Sequence, residues 1–315
     1  MLTRRSTAPR PRRGFTLIEI LVVIAIIGIL TAISAGALFR LRAAQTVNNT
    51  EGTLSKLHGL LNTRWGAVLS QSKSTIPSEL IVRCGDDKER AAAVWAYANL
   101  KNEFPMTFAE ATTAINLGGG VGLEPRGIFK KFALANPGIT LAEEQSAALF
   151  YIGITQGGNG GNAAGSDGSN QQVGTLAGGA SVYKDGWGSP IAFVRNATGG
   201  EIGGASFLRA TTIQVPNGSP PPVTVPFVVK NPLDPTGRLL VRAGNPWAVT
   251  APTNGYRTTM FTALGLTDFT NENFLPTLVS AGPNKKFGVY LDFAADDSAD
   301  NLLSYRLRRE GDKGN

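Results

Sequence analysis

The sequence predicts an α+β fold: a long N-terminal α-helix packed on an antiparallel β-sheet head that carries a helical insertion. Three observations lead there. From residue 15 to residue 39 a single charge, Glu19, interrupts an apolar run. That run is long enough to cross a hydrocarbon core, which takes about 20 residues in a helix. Val47, Leu54, Leu57, Leu61, Trp65 and Val68 then recur at spacings of three, four and seven, the signature of one face of an amphipathic helix. Beyond residue 181, β-rich runs alternate with turn signals such as Asp185-Gly186, Asn217-Gly218 and Pro220-Pro221-Pro222.

Residues 1–14 form a basic leader with Arg4, Arg5, Arg10, Arg12 and Arg13 and no acid. Such a cluster beside an apolar span stays on the cytoplasmic side, so everything after the span is expected on the far side of the membrane. The formal charge of +7 has the same origin: without those five arginines it is +2. A near-neutral remainder has no large electrostatic footprint for phosphate, and no nucleic-acid partner is expected.

The long helix follows, a transmembrane half over 15–39 and an amphipathic half over 40–73, closed before Pro77. At ~1.5 Å per residue it is roughly 85 Å long. Gly28, Ala32 and Gly36 are four apart. Small residues at that spacing permit close helix–helix approach in a membrane, although an Ala/Gly-rich helix also produces the spacing by accident. Gly52, Gly59 and Gly66 recur every seven residues, which predicts close packing of the helix against the head.

Residues 74–156 read as a helical insertion. One helix opens at Ala91-Ala92-Ala93, Pro105 interrupts, residues 108–115 supply a second, and Thr140-Leu141-Ala142-Glu143 is a capping box for a third. Residues 157–180 are Gly/Asn/Ser-rich and predict a flexible loop. Gly158-x-Gly160-x-x-Ala163 formally matches a dinucleotide fingerprint, but no helix follows and no acid stands at the right distance. Residues 181–315 are the sheet region, with strands predicted at 181–183, 190–194, 207–215, 223–229, 238–241 and 287–293, forming a meander packed on the second half of the long helix.

The sequence offers little chemistry. Cys84 is the only cysteine, so no internal disulfide forms, and it reads as a small buried hydrophobe. His58 is the only histidine and reads as a helix-surface or boundary residue. There is no Gly-x-Ser-x-Gly elbow, phosphate-binding Gly-Lys-Ser/Thr loop or Cys/His cluster, and nothing in the sequence argues for an enzyme.

The decisive stretch is Gly14-Phe15-Thr16-Leu17-Ile18-Glu19 with the apolar run behind it. A secretory signal peptide does not account for it: those cores run about 7–15 residues, end in an A-x-A-like site and contain no acid. The stretch resembles the N-terminus of prepilin-like proteins, the type IV pilins and type II secretion pseudopilins. The resemblance implies cleavage after Gly14, N-methylation of Phe15 and use of Glu19 to guide assembly into a filament. The physics agrees. A carboxylate in lipid is costly, and the amine of a neighbouring Phe15 would offset it, fixing one axial register.

Two further stretches extend the resemblance. Tyr183-Lys184-Asp185-Gly186-Trp187-Gly188-Ser189-Pro190 is similar to the Trp-Gly turn of major pseudopilins, with Trp187 expected to anchor a hairpin in the core. The C-terminal stretch is similar to their calcium loop and implies Leu278, Ser280, Asn284, Asp296, Ser298 and Asp300 as calcium ligands. Asn284 stands where the family has Asp. Asp296-x-Ser298-x-Asp300 supplies hard oxygens at alternating positions, as calcium requires, without the Gly and Glu of an EF-hand.

The family implies a structural subunit of a periplasmic pseudopilus of type II secretion. Its partners are the prepilin peptidase/methylase, other pseudopilins, the inner-membrane assembly platform and the lipid bilayer. A type IV pilus subunit for adhesion, motility or DNA uptake is the alternative within the family, and a membrane-anchored envelope enzyme or binding protein the alternative outside it.

Overall fold

The computed structural model describes residues 17–156, 172–197, 211–215, 223–227, 233–234, 239, 253–264, 275–287 and 302–304. The fold is α+β: one long apolar-to-amphipathic helix, further helices, and small antiparallel sheets. Contacts divide the chain within the long helix, into Met1–Asn48 and Asn49–Asn315.

Helix α1 (Leu17–Ser74) is unbroken, as its periodicity predicts. Its apolar N-terminal side chains are exposed, including Ile18, Ile24, Ile29 and Ile33. Thr31 and Ser34 return their hydroxyls to the carbonyls of Ile27 (2.5 Å) and Leu30 (2.8 Å), so neither donor has to seek water. In the second unit Leu54, Leu57 and Leu61 are fully buried, and Trp65 and Val68 nearly so. The helix ends where Pro77 sets up the next one, α2 (Ser78–Arg83).

The stripe of α1 joins a core built mainly on α3 (Lys88–Glu103). Asp87 caps α3 by accepting from the N–H groups of Glu89 and Arg90, both at 3.1 Å. Ala91, Ala93, Val94, Trp95, Tyr97, Ala98 and Leu100 are all buried, which makes α3 a central helix rather than an amphipathic one. A chain of aromatic rings links the elements. Trp65 meets Phe104 at 5.3 Å, Phe104 meets Phe193 at 5.8 Å, and Phe193 stacks on Phe150 at 5.4 Å. Each such pair contributes about 0.5–1.5 kcal/mol beyond its buried area.

The insertion is not wholly helical. After α4 (Phe108–Thr112) comes a hairpin, β1 (Ile115–Gly118) and β2 (Val121–Leu123), where a helix was expected through residue 115. Gly118, Gly119 and Gly120 all take positive φ, which a side chain would strain, and Ile115 and Leu117 alternate into the core. Helices α5 (Gly127–Ala135) and α6 (Ala142–Gln156) complete the block.

The sheet region also departs from expectation. The described strands do not form one meander. β3 (Val173–Thr175) pairs with β4 (Ser181–Tyr183), so residues 173–175 of the expected loop are a strand. β5 (Ala192–Ala197), β8 (Leu275–Ser280) and β9 (Leu302–Leu303) form a three-stranded sheet with β8 central. β6 (Thr211–Val215) and β7 (Val223–Phe227) form a separate hairpin. A helix, α7 (Thr253–Leu264), packs on β1; its sequence gave no forewarning. The strands expected at 238–241 and 287–293 fall almost entirely outside the described residues, as does 157–171 with the Gly158/Gly160/Ala163 match.

The glycine expectation is corrected. Gly52, Gly59 and Gly66 are exposed, and a Cβ on any of them would meet nothing within 4 Å, so they do not pack against the head. Register explains it: the three sit seven apart on the side of α1 away from the leucine stripe, where no neighbour requires a small residue.

Candidate functional site

The processing residues Gly14 and Phe15 lie outside the described residues. Glu19 falls in the first turn of α1 and is exposed, on the helix end whose unpaired N–H groups favour an acid. Gly28 has open space around it and Ala32 is exposed; Gly36 is helical, with surroundings outside the described residues. By length and composition α1 can cross a membrane, and none of its most apolar window is buried.

The Trp-Gly turn is built differently from the expectation. Trp187 is only half-buried, and the anchors are Tyr183 and Asp185, which are almost wholly buried. Asp185 Oδ1 accepts from the N–H groups of Trp187 (3.0 Å) and Ser189 (2.8 Å), and Gly188 turns the chain at φ +86. Oδ2 accepts from the Ser280 hydroxyl at 2.6 Å, and the Gly186 N–H donates to Thr50 Oγ1 on α1 at 2.9 Å. One carboxylate thus holds the turn, strand β8 and the neighbourhood of α1 together. Burial raises its pKa from the ordinary carboxylate value, against the bonds from Ser280, Ser189, Trp187 and Gly188.

His58 is buried rather than at the surface. Its Nδ1 lies 3.0 Å from Ser304 Oγ, which accepts from the Leu278 N–H at 2.9 Å. The Ser304 hydroxyl thus joins the Leu278 backbone to the imidazole ring. The only histidine therefore ties α1 to β8 and the end of β9. Cys84 is buried as expected, and burial pushes its thiol up to about 12, which disfavours the reactive thiolate.

Two charge networks went unread in the sequence. Glu110 receives a fork from Arg195, with both contacts at 2.9 Å, plus the Met106 N–H at 2.8 Å, and Lys101 stands 3.7 Å away. Burial acts to raise the Glu110 pKa, but Arg195 and the hydrogen bonds overcome it and hold it at about 2. Arg195 also donates to the Phe104 carbonyl, and Lys101 to that of Ala263, both at 2.8 Å. Glu103 pairs with both Arg64 (3.2 Å) and Arg126. Arg126 and Arg64 stand 23 and 39 residues from Glu103, and Arg195 stands 85 from Glu110, so no local spacing could have revealed these pairs.

Of the expected calcium ligands, Leu278 and Ser280 lie on β8 and Asn284 in the turn after it. The Ser280 hydroxyl is given to Asp185, and Asn284 Oδ1 accepts from the Lys286 N–H at 2.7 Å. Asp296, Ser298 and Asp300 lie outside the described residues. Among the described residues no group of three or more His, Cys, Asp or Glu could hold a metal.

Residues 9–35 match the family described as the prokaryotic N-terminal methylation motif. The chain has a prepilin-type N-terminus. This prepilin-like segment points to processing by prepilin peptidase, to assembly with other pilin-type subunits, and to a structural subunit rather than an enzyme. With the apolar helix behind it, it suggests a membrane-anchored bacterial protein. No curated protein and no solved structure matches the chain.

Proposed function

We propose that the protein is a structural subunit of a periplasmic pseudopilus of the type II secretion kind. It is cut after Gly14, methylated on Phe15, held in the inner membrane by the first half of α1, and drawn into the filament through Glu19. The observation that carries this reading is the methylation-motif match over residues 9–35, continuous with an apolar helix whose side chains face outward. The lone cysteine favours a pseudopilus over a pilus, since many pilins close a C-terminal loop with a disulfide that this chain cannot make. The filament would serve as a piston or scaffold for protein export, with the periplasmic head meeting other subunits and the assembly platform.

Intact N-terminal mass spectrometry of protein from its native membrane tests the processing, with N-methylated Phe15 as the expected terminus. A terminus at Met1, or a cut beyond residue 39, overturns it. Glu19→Val tests assembly: the variant is cut normally but yields few filaments, and a normal yield removes the proposed role of Glu19. Calcium in the loop 278–300 is a separate proposal, resting on the alternating oxygens of Asp296, Ser298 and Asp300. Calcium then raises the unfolding midpoint relative to chelator, and an unchanged midpoint rejects it.

A further inference from the structure

A cleft of about 500 Å³ opens in the head between α5, α6 and the β3–β4 turn. Its volume lies within the range of small-molecule sites, about 300–1,000 Å³. Phe132 and Tyr151 supply aromatic surface to its walls, and each is braced from behind: Phe132 edge-on against Phe108 at 5.9 Å, Tyr151 against Tyr183 at 5.0 Å. Asn136, Gln156 and Ser181 add two amides and a hydroxyl, groups that both donate and accept. Lys131 is the one charged side chain among the described lining residues, and no acid is among them.

This combination selects its ligand. One Asn136 N–H already donates to the Phe132 carbonyl at 2.8 Å, but a purely apolar guest would cover the remaining amide and hydroxyl groups without pairing them. A neutral sugar would satisfy them and the aromatic faces, but would make no use of the Lys131 charge at the rim. A sugar ring bearing one carboxylate uses every part. We propose that the cleft is a binding site for a uronic acid, with the ring against Phe132 and Tyr151, the ring hydroxyls on Asn136, Gln156 and Ser181, and the carboxylate on Lys131. Such a unit comes either as the free acid or as the end of an acidic polysaccharide. The site uses nothing from α1 or the N-terminal segment, so it stands or falls separately from the filament reading.

The test uses the full chain in detergent micelles, with saturation-transfer NMR and calorimetry. The probes are D-glucuronate, D-glucose, benzoate and a short oligogalacturonate. Glucuronate should bind saturably, and glucose and benzoate about tenfold more weakly. Lys131→Gln lies on an exposed side chain and should leave the melting curve unchanged. It should weaken glucuronate about tenfold and glucose not at all. Lys131→Arg should retain glucuronate binding, and Gln156→Ala should weaken both sugars. Oligogalacturonate tighter than glucuronate assigns a polymer end, and equal binding the free acid. The proposal is overturned by absence of saturable glucuronate binding, by glucose or benzoate binding equally well, or by a Lys131→Gln variant that binds glucuronate like the parent.

Discussion

The two parts of α1 obey the same helical geometry and opposite packing rules. Over 17–34 the apolar side chains are exposed all round, and none of the most apolar stretch is buried. Over 49–74 the apolar residues narrow to the stripe Leu54, Leu57, Leu61, Trp65 and Val68, and that stripe is buried. A helix apolar all round needs a medium, lipid or other helices, whereas a striped helix needs only a core on one side. The first part is therefore built to be completed by surroundings outside the chain, and the second is completed by the chain's own head.

The sharpest way to break that comparison is a charge in the stripe. Leu61→Asp should prevent the head from folding, because an acid buried at that position has no partner. Ile24→Ala, in the outward-facing part, should leave the melting midpoint of the isolated subunit in micelles unchanged by circular dichroism. Equal loss from both would erase the distinction.

Glu110→Gln should come next, at about 3 kcal/mol of destabilisation measured by urea unfolding, since it leaves Arg195 half-matched in a mostly buried site. The parent should also show the pH signature of this pair. The folded pKa of about 2 lies below the ordinary 4.5, so the contribution is full above about 4.5 and disappears as pH falls toward about 2. In the Gln variant that slope should flatten.

Asp185→Asn should cost about 2 kcal/mol, because an amide cannot accept at both ends from Trp187, Ser189 and Ser280. Hydrogen exchange should then speed up at the Ser189 amide before it does in α3. The smallest effect is a gain. Gly59→Ala places its Cβ in open space on a helix surface and should stabilise the subunit by up to about 1 kcal/mol. A loss in the isolated subunit would mean that the glycine face of α1 is not the exposed one.

What could be read in advance followed from local repetition. The helix over 17–74, its buried leucines, its end before Pro77 and the buried Cys84 all come from spacing or from a single residue type. The hairpin at 115–123 was legible in principle, since three glycines between alternating apolar residues are a turn signal, but the helical residues around it masked that pattern. Trp187 drew attention by its size, yet the turn is held by Asp185, because a buried carboxylate with three donors fixes a backbone more tightly than a half-exposed ring. The exposed glycines failed for a related reason. Their spacing does put them on one face of α1, but that face is the one turned away from the leucine stripe.

The sequence by itself determined the N-terminal methylation motif and the long helix, because a motif, a hydrophobic length and a 3.6-residue period are all properties of neighbouring residues. Only the tertiary structure decided the rest: Glu110 to Arg195, Asp185 to Ser280, His58 to Ser304, and the cleft between α5, α6 and the β3–β4 turn. Each joins groups far apart in the chain. A buried charge or hydroxyl is satisfied by whatever partner the packing brings within 3 Å, and sequence separation does not carry that distance.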